Sequence, residues 1–134
     1  CALGSTVNDE NLSRLKCGII AGAANNQLKD ETIHGQELLN KKIIYAPDYV
    51  INAGGLINVS NELEGYRQDR AMKQAEGIYE VLQRVFRLSE EQNVPTHVAS
   101  NKIAEDRLNQ VGSIRKIYSG NSNYSGRLGE LTHK

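Results

Sequence analysis

Apolar and polar residues alternate along this chain in two distinct rhythms. Short apolar runs, Cys17 to Ala21 and Ile43 to Ala46, are each followed by a loop dense in polar or small residues, which predicts strands leading into loops. Between them, Glu31 to Lys41 places Ile33, Leu38 and Leu39 at helical spacing. Asn8 is positioned to cap a short helix over Asp9 to Leu15. Pro47 disfavours continuation of the second strand, and beyond Asn52 the positions of Leu56, Ile57, Val59 and Leu63 predict a helix. Its positive end points back toward the loops.

From Gln68 to Gln92 the rhythm lengthens. Met72, Ala75, Tyr79, Leu82 and Phe86, joined by Ile78 and Val85, recur at three and four residues and predict a long amphipathic helix. Glu80 precedes Arg84 by one turn, worth about 0.3 kcal/mol, whereas Gly77 costs about 1 kcal/mol relative to Ala. Packing rather than propensity must hold this helix. Another is predicted from Thr96 or Ser100, with Ile103, Ala104, Leu108 and Val111 on its apolar face. From Ser119 onward the polar, Gly-containing sequence has no periodicity and predicts a mobile tail. Strands alternating with helices argue for a parallel α/β arrangement.

The two strand-to-loop runs carry the candidate chemistry. Ligands of open parallel sheets bind beyond the carboxyl ends of the strands, so loops leaving successive strands face one crevice. IAGAANNQL (20–28) and YAPDYVINAGGLINV (45–59) are therefore expected to share a ligand. Asn25, Asn26 and Asn52 each carry donors and an acceptor on a short side chain, suited to a carboxamide or to a carboxylate with a neighbouring amine. Gly54 and Gly55 would let a ring approach the backbone. Taken singly, such residues are ordinary turn formers; two such loops after two strands are more informative. Asp48 and Tyr49, following Pro47, are expected to act structurally in a turn.

Composition narrows the alternatives. The chain has 134 residues, with Lys plus Arg and Asp plus Glu both at 16, so no broad charge footprint for nucleic acid or anionic membrane is present. No apolar stretch approaches the roughly 20 residues of a membrane helix. Cys1 and Cys17 have neither metal-ligand spacing nor a disulfide framework. His34, His97 and His133 show no ligand spacing, so no metal is expected, and surface or satisfied core positions are the expected histidine roles. An amino-terminal Cys nucleophile, with its own amine as base, is one competing reading, but no electropositive setting supports the thiol. A non-catalytic nucleotide-binding or self-association module is another.

The chain resembles the Glu/Leu/Phe/Val amino-acid dehydrogenase family, and within it the leucine dehydrogenase branch. The matching residues run from Cys1-Ala2-Leu3-Gly4 through Asn8-Asp9, AGAANNQLK (21–29), His34-Gly35, YAPDYVINAGG (45–55), Asn58 and Glu62-Leu63 to Arg70-Ala71-Met72. Similarity continues through Pro95-Thr96, Val98-Ala99 and Ala104 to Arg107, fading beyond Gly112. The AGAANNQ run differs from the E-G-A-N type run of glutamate dehydrogenases, which points to the monocarboxylic branch.

This resemblance implies an α/β fold comprising the second half of a Rossmann-like parallel sheet followed by carboxyl-terminal helices. The expected divisions are a partial NAD-binding domain over 1–66, helices packing on it over 67–112, and a tail over 113–134. The implied activity is NAD-dependent oxidative deamination of an aliphatic L-amino acid to its 2-oxo acid and ammonia. Cys1, Ala2 and Leu3 would border the cofactor, and Asn26, more than Asn25, would hold the nicotinamide amide. Asn52, Gly54 and Gly55 would sit beside nicotinamide and substrate, with Leu56 and Val59 lining the side-chain pocket. No G-x-G-x-x-G turn occurs in the chain, so the pyrophosphate site is expected upstream, together with the catalytic lysines and aspartate of an amino-terminal domain. No catalytic acid or base is therefore nominated, and the segment alone is expected to be inactive. The complete enzyme would be a cytoplasmic homo-oligomer.

Overall fold

Two parallel strands carry the topology. In the computed structural model, which describes residues 3–63 and 65–117, β1 (Ile19–Ile20) and β2 (Ile44–Tyr45) pair in parallel, Ile19 with Ile44 and Ile20 with Tyr45. The crossover between them is α1 (Glu31–Asn40). A parallel pair needs such a crossover because a tight turn cannot return the chain to the same end of the sheet. An isolated parallel bridge joins Val7 to Leu28, with the N–H of Val7 donating to Gln27 O at 3.0 Å and that of Lys29 to Val7 O at 2.9 Å. The fold class is thus the expected α/β.

Helices follow the sheet. They are α2 (Asp48–Ile51), α3 (Gly54–Leu63), α4 (Gln68–Gln92) and α5 (Thr96–Ile117). The chain divides into two compact units, residues 1–103 and 104–134. In the first, Val7, Leu12, Ile20, Leu28, Leu38, Ile43 and Tyr45 form the core, with Leu15 packed against it. In the second, Leu108 and Val111 of α5 are exposed. No helix among the described residues is long and apolar enough to cross a membrane. The expected tail lies, from residue 118 on, outside the described residues.

Local chemistry explains the helix boundaries. Asp30 caps α1, its side chain accepting the Ile33 N–H at 2.8 Å, and the His34 ring returns the favour by accepting the Asp30 N–H on Nδ1 at 2.9 Å. His34 Nε2 then faces Asp9 Oδ1 at 3.3 Å, so this buried histidine is satisfied within the fold. α4 ends where Asn93 turns left-handed at φ 50°, with the Val94 N–H reaching back to Ser89 O at 3.1 Å. Asn61, buried on α3, donates to Gln74 and accepts from Arg70, which locks α3 onto α4.

Several expectations are corrected. The segment after Asn8 is a 3-10 turn, Leu12–Arg14, not a helix over Asp9 to Leu15: Asn8 spends its side-chain oxygen on the Glu10 N–H, and so short a segment cannot repay helix nucleation. The strand expected over Cys17 to Ala21 is paired only at Ile19–Ile20, and Ile19 is 64% exposed because only one face of the small sheet meets the core. Asp48 and Tyr49 lie in a helical turn, since Pro47 fixes a φ of −54° just ahead of it. On α4 Val85 of the expected stripe is buried and Ala75, Ile78, Leu82 and Phe86 are half-buried, with Ala71 and Ser89 extending the seam, whereas Met72 and Tyr79 are exposed.

Two helical glycines respond oppositely to the same substitution. A Cβ on Gly35 would lie 2.5 Å from His97 Nδ1, against a buried ring with little room to move, whereas a Cβ on Gly77 meets nothing within 4 Å. Gly35→Ala should destabilise the chain by about 1–3 kcal/mol through overpacking, and Gly77→Ala should stabilise it by about 0.5–1 kcal/mol. Urea unfolding of both variants checks the opposite signs.

Hydrogen bonds from His34 and Lys29 hold the Asp9 carboxyl below the usual carboxylate range. A depressed folded value means that the stabilisation is fully present above the unfolded value near pH 4 and is lost as pH falls through the folded one. Asp9→Asn should therefore narrow the stability gap to the parent chain progressively below pH 4, as read from thermal midpoints.

Candidate functional site

The loop leaving β1 and the helical turn leaving β2 are fastened to each other. The buried Asp48 carboxylate accepts the Gln27 N–H at 3.2 Å through Oδ2 and the Tyr49 N–H at 2.8 Å through Oδ1. Gln27 is fully buried, and its Nε2 donates to Gly22 O at 2.8 Å and Ala24 O at 2.9 Å, closing the Asn-bearing loop on itself. Across the join, Asn52 Nδ2 donates to Ala23 O at 3.3 Å and to Asn25 Oδ1. The two loops singled out from the sequence therefore meet side by side.

Their junction opens into a cleft of about 430 Å³ lined by Ala23, Asn25, Tyr49, Asn52, Ala53 and Leu56. Four of these, Tyr49, Asn52, Ala53 and Leu56, follow i, i+3, i+4, i+7 spacing and share one face of the nearly continuous α2–α3 run. α3 begins at the rim, directly after Ala53. None of the lining side chains is charged, and the Asp48 carboxylate is spent on backbone N–H groups. Burial pushes the pKa of the Tyr49 phenol above its ordinary value, so its hydroxyl is a neutral donor at physiological pH.

The remaining candidates are dispersed around this cleft. Asn26 is exposed, adopts a left-handed φ of 52° and uses its carbonyl to accept the Ser5 N–H at 2.7 Å; it is Asn25 that lines the cleft. Gly54 and Gly55 form the first turn of α3 without positive φ, and a Cβ on either meets nothing within 4 Å, so they are not a strained turn. The glycine that does permit a close approach is Gly4, where a Cβ would lie 3.0 Å from Asn25 O. Leu56 is exposed at the cleft; Val59, one turn further on, is exposed outside its lining, and so is Leu3. Cys1 and Ala2 lie outside the described residues.

Sequence reasoning missed Gln27 and gave Asp48 and Tyr49 only a structural role in a turn, which Asp48 fills by bracing the two loops. Gln27 carries no single-sequence signal, because a fully buried glutamine looks like any loop polar residue. Asp48 is the first residue of a helical turn behind a proline, a pattern that marks a helix start. Tyr49 could have been found from its spacing to Asn52, Ala53 and Leu56. Among the described residues, no group of His, Cys, Asp or Glu side chains is placed to hold a metal ion.

The chemistry of the lining suits a carboxamide-bearing ring. An amide has two N–H donors and an acceptor oxygen; with both Asn52 N–H groups committed, its oxygen and the Asn25 N–H groups offer the complementary pair that a carboxamide needs. The apolar surfaces of Ala53, Leu56 and Tyr49 flank that pair.

A profile of the Glutamate/Leucine/Phenylalanine/Valine dehydrogenase family matches residues 1–115. The chain belongs to this family. It is 50% identical over 118 residues to the leucine dehydrogenase of Thermoactinomyces intermedius, covering 88% of this chain and 32% of that protein. It is 52% identical over 109 residues to the L-tryptophan dehydrogenase of Nostoc punctiforme, covering 81% of this chain and 31% of the relative. The crystal structure of the Nostoc punctiforme enzyme superposes with a TM-score of 0.80 over 82% of this chain and 33% of its own. The chain thus spans about a third of the length of these dehydrogenases.

Loss of the Asp48 brace should loosen the junction. Asp48→Ala leaves the N–H groups of Gln27 and Tyr49 without their acceptor and should cost about 1–3 kcal/mol, with Asp48→Asn costing less because one acceptor oxygen survives. Urea unfolding gives the loss, and movement of the Asn25 and Asn52 side-chain amide resonances reports the loosened cleft.

Proposed function

We propose that this chain forms the nicotinamide-facing part of an NAD-dependent dehydrogenase that oxidatively deaminates aliphatic L-amino acids to 2-oxo acids and ammonia. The observation that carries the reading is the Asn25–Asn52 amide pair at a cleft otherwise lined by uncharged groups. When bound, the nicotinamide supplies the hydride acceptor. The chain's own contribution is positional: Asn25 and Asn52 orient the carboxamide and so set the ring face presented to the substrate carbon, the geometry on which transfer depends. Asn26, Gly54, Gly55 and Leu3 would border the same ligand from outside the cleft lining. Proton transfer falls to groups outside this chain.

Leu56 and Val59 would meet the substrate side chain, and two aliphatic surfaces one helical turn apart favour an aliphatic partner. Relatives named for leucine and for tryptophan are similarly close in sequence, so the substrate preference rests on these two residues. A single methylene in an apolar pocket is worth only about 1–3 kcal/mol, and a choice among leucine, valine and isoleucine needs direct assay.

Two measurements test the reading. Titration of the chain with nicotinamide mononucleotide should shift the side-chain amide resonances of Asn25 and Asn52 saturably, with Asn25→Ala weakening binding about tenfold through the loss of paired hydrogen bonds. Substituted for the matching third of the Thermoactinomyces intermedius leucine dehydrogenase, the chain should support NAD reduction with leucine in preference to tryptophan or phenylalanine. Absence of binding overturns the cofactor assignment, and preference for tryptophan overturns the aliphatic one.

A further inference from the structure

The aromatic side chain in the cleft is held from behind. Tyr49 contributes one wall, on the same helical face as Asn52, Ala53 and Leu56, and is the aromatic residue among the lining groups. Its hydroxyl reaches the opening turns of α5, 3.5 Å from His97 O and 3.4 Å from Asn101 Oδ1, with the Ser100 side chain as a third polar neighbour. Those turns are themselves fixed: Ala99 is fully buried, and the His97 ring is pressed against Gly35 of α1 so tightly that no Cβ fits between them. A half-exposed phenol facing an uncharged cleft does not need this backing to stay soluble. The backing instead removes the freedom of the ring to rotate away from the cleft, an entropy that a ligand would otherwise have to restrict on binding.

We propose that Tyr49 is a nicotinamide-packing residue, its ring forming the face on which the ligand ring lies and its hydroxyl tether to α5 fixing the angle of that face. The proposal rests on the nicotinamide reading above and adds a residue and a role to it. Offset packing of two rings places the ligand protons in the shielding region of the tyrosine ring. Asn25 and Asn52 then fix the carboxamide in the plane, while Tyr49 fixes the tilt of that plane. The polar pair and the aromatic wall constrain different degrees of freedom of the same ligand.

Nicotinamide mononucleotide binding to the chain, followed by proton NMR, distinguishes the role of Tyr49 from nicotinamide binding itself. The parent chain should bind the mononucleotide with upfield shifts of its nicotinamide ring protons. Tyr49→Leu should abolish those upfield shifts, and Tyr49→Phe, which keeps the ring and removes the tether, should keep them while weakening binding about three- to tenfold, the weight of one neutral hydrogen bond. Asn101→Ala, which leaves Tyr49 intact, should weaken binding in the same direction and supplies the test if a Tyr49 variant loses its dispersed spectrum. A thermal midpoint measured on each variant distinguishes general destabilisation, which lowers the midpoint without removing the ring-current signature. Binding by the parent without upfield shifts, or upfield shifts that persist in Tyr49→Leu, overturns the role of Tyr49 and leaves the nicotinamide reading standing. No binding by the parent overturns both.

Discussion

One carboxylate holds together the two loops that follow the strands. Asp48 is buried at the start of α2, just past β2, and its two oxygens accept N–H groups from Gln27, in the loop after β1, and from Tyr49, in its own helical turn. A buried carboxylate with no such partners would be strongly unfavourable, so the arrangement is tolerated only while both loops hold their positions. The coupling works in both directions. The loops keep Asp48 satisfied, and Asp48 keeps the loops together at the carboxyl ends of the strands, where Asn25 and Asn52 meet.

The surrounding structure serves that junction by restricting backbone freedom. Gln27 closes the Asn-bearing loop through two of its carbonyls, and Gly4 lets the preceding segment lie against the Asn25 carbonyl. On the far side, Arg70 and Asn61 hold α3 to α4, so the helix that carries Leu56 has a fixed direction. Gly35 and His97 bring α1 and α5 into close contact, and Tyr49 connects that contact to the cleft. The rigidity is therefore built from a few polar contacts and two close glycine approaches around a modest apolar core, an arrangement suited to holding a planar ligand at a defined angle.

Much of the fold was legible because its signals are local. The bounds of α4 follow from sustained periodicity between Arg67 and Asn93, and α1 begins where Asp30 supplies a cap. The pairing of the two Asn- and Gly-rich loops was legible from strand order alone. Other features were hidden by their dependence on distant groups. On α4 Met72 and Tyr79 fall outside the covered seam, although Val85 lies in it, because α2 and α3, not the helix's own composition, decide which face is covered. Asn25 rather than Asn26 lines the cleft because Asn26 takes the left-handed turn that lets its carbonyl accept from Ser5. Neighbouring asparagines are indistinguishable until backbone geometry separates them.

Sequence by itself determined the parallel α/β class, the family, and the two loops that carry polar chemistry, since apolar periodicity and motif spacing are properties of a linear chain. Tertiary structure alone decided that Gln27 and Asp48 hold those loops together, that Gly35 tolerates no side chain whereas Gly77 does, and that Tyr49 forms a wall. Each of these depends on what lies opposite a residue across space, and burial, hydrogen-bond partnership and steric room are relations between segments that no single segment encodes.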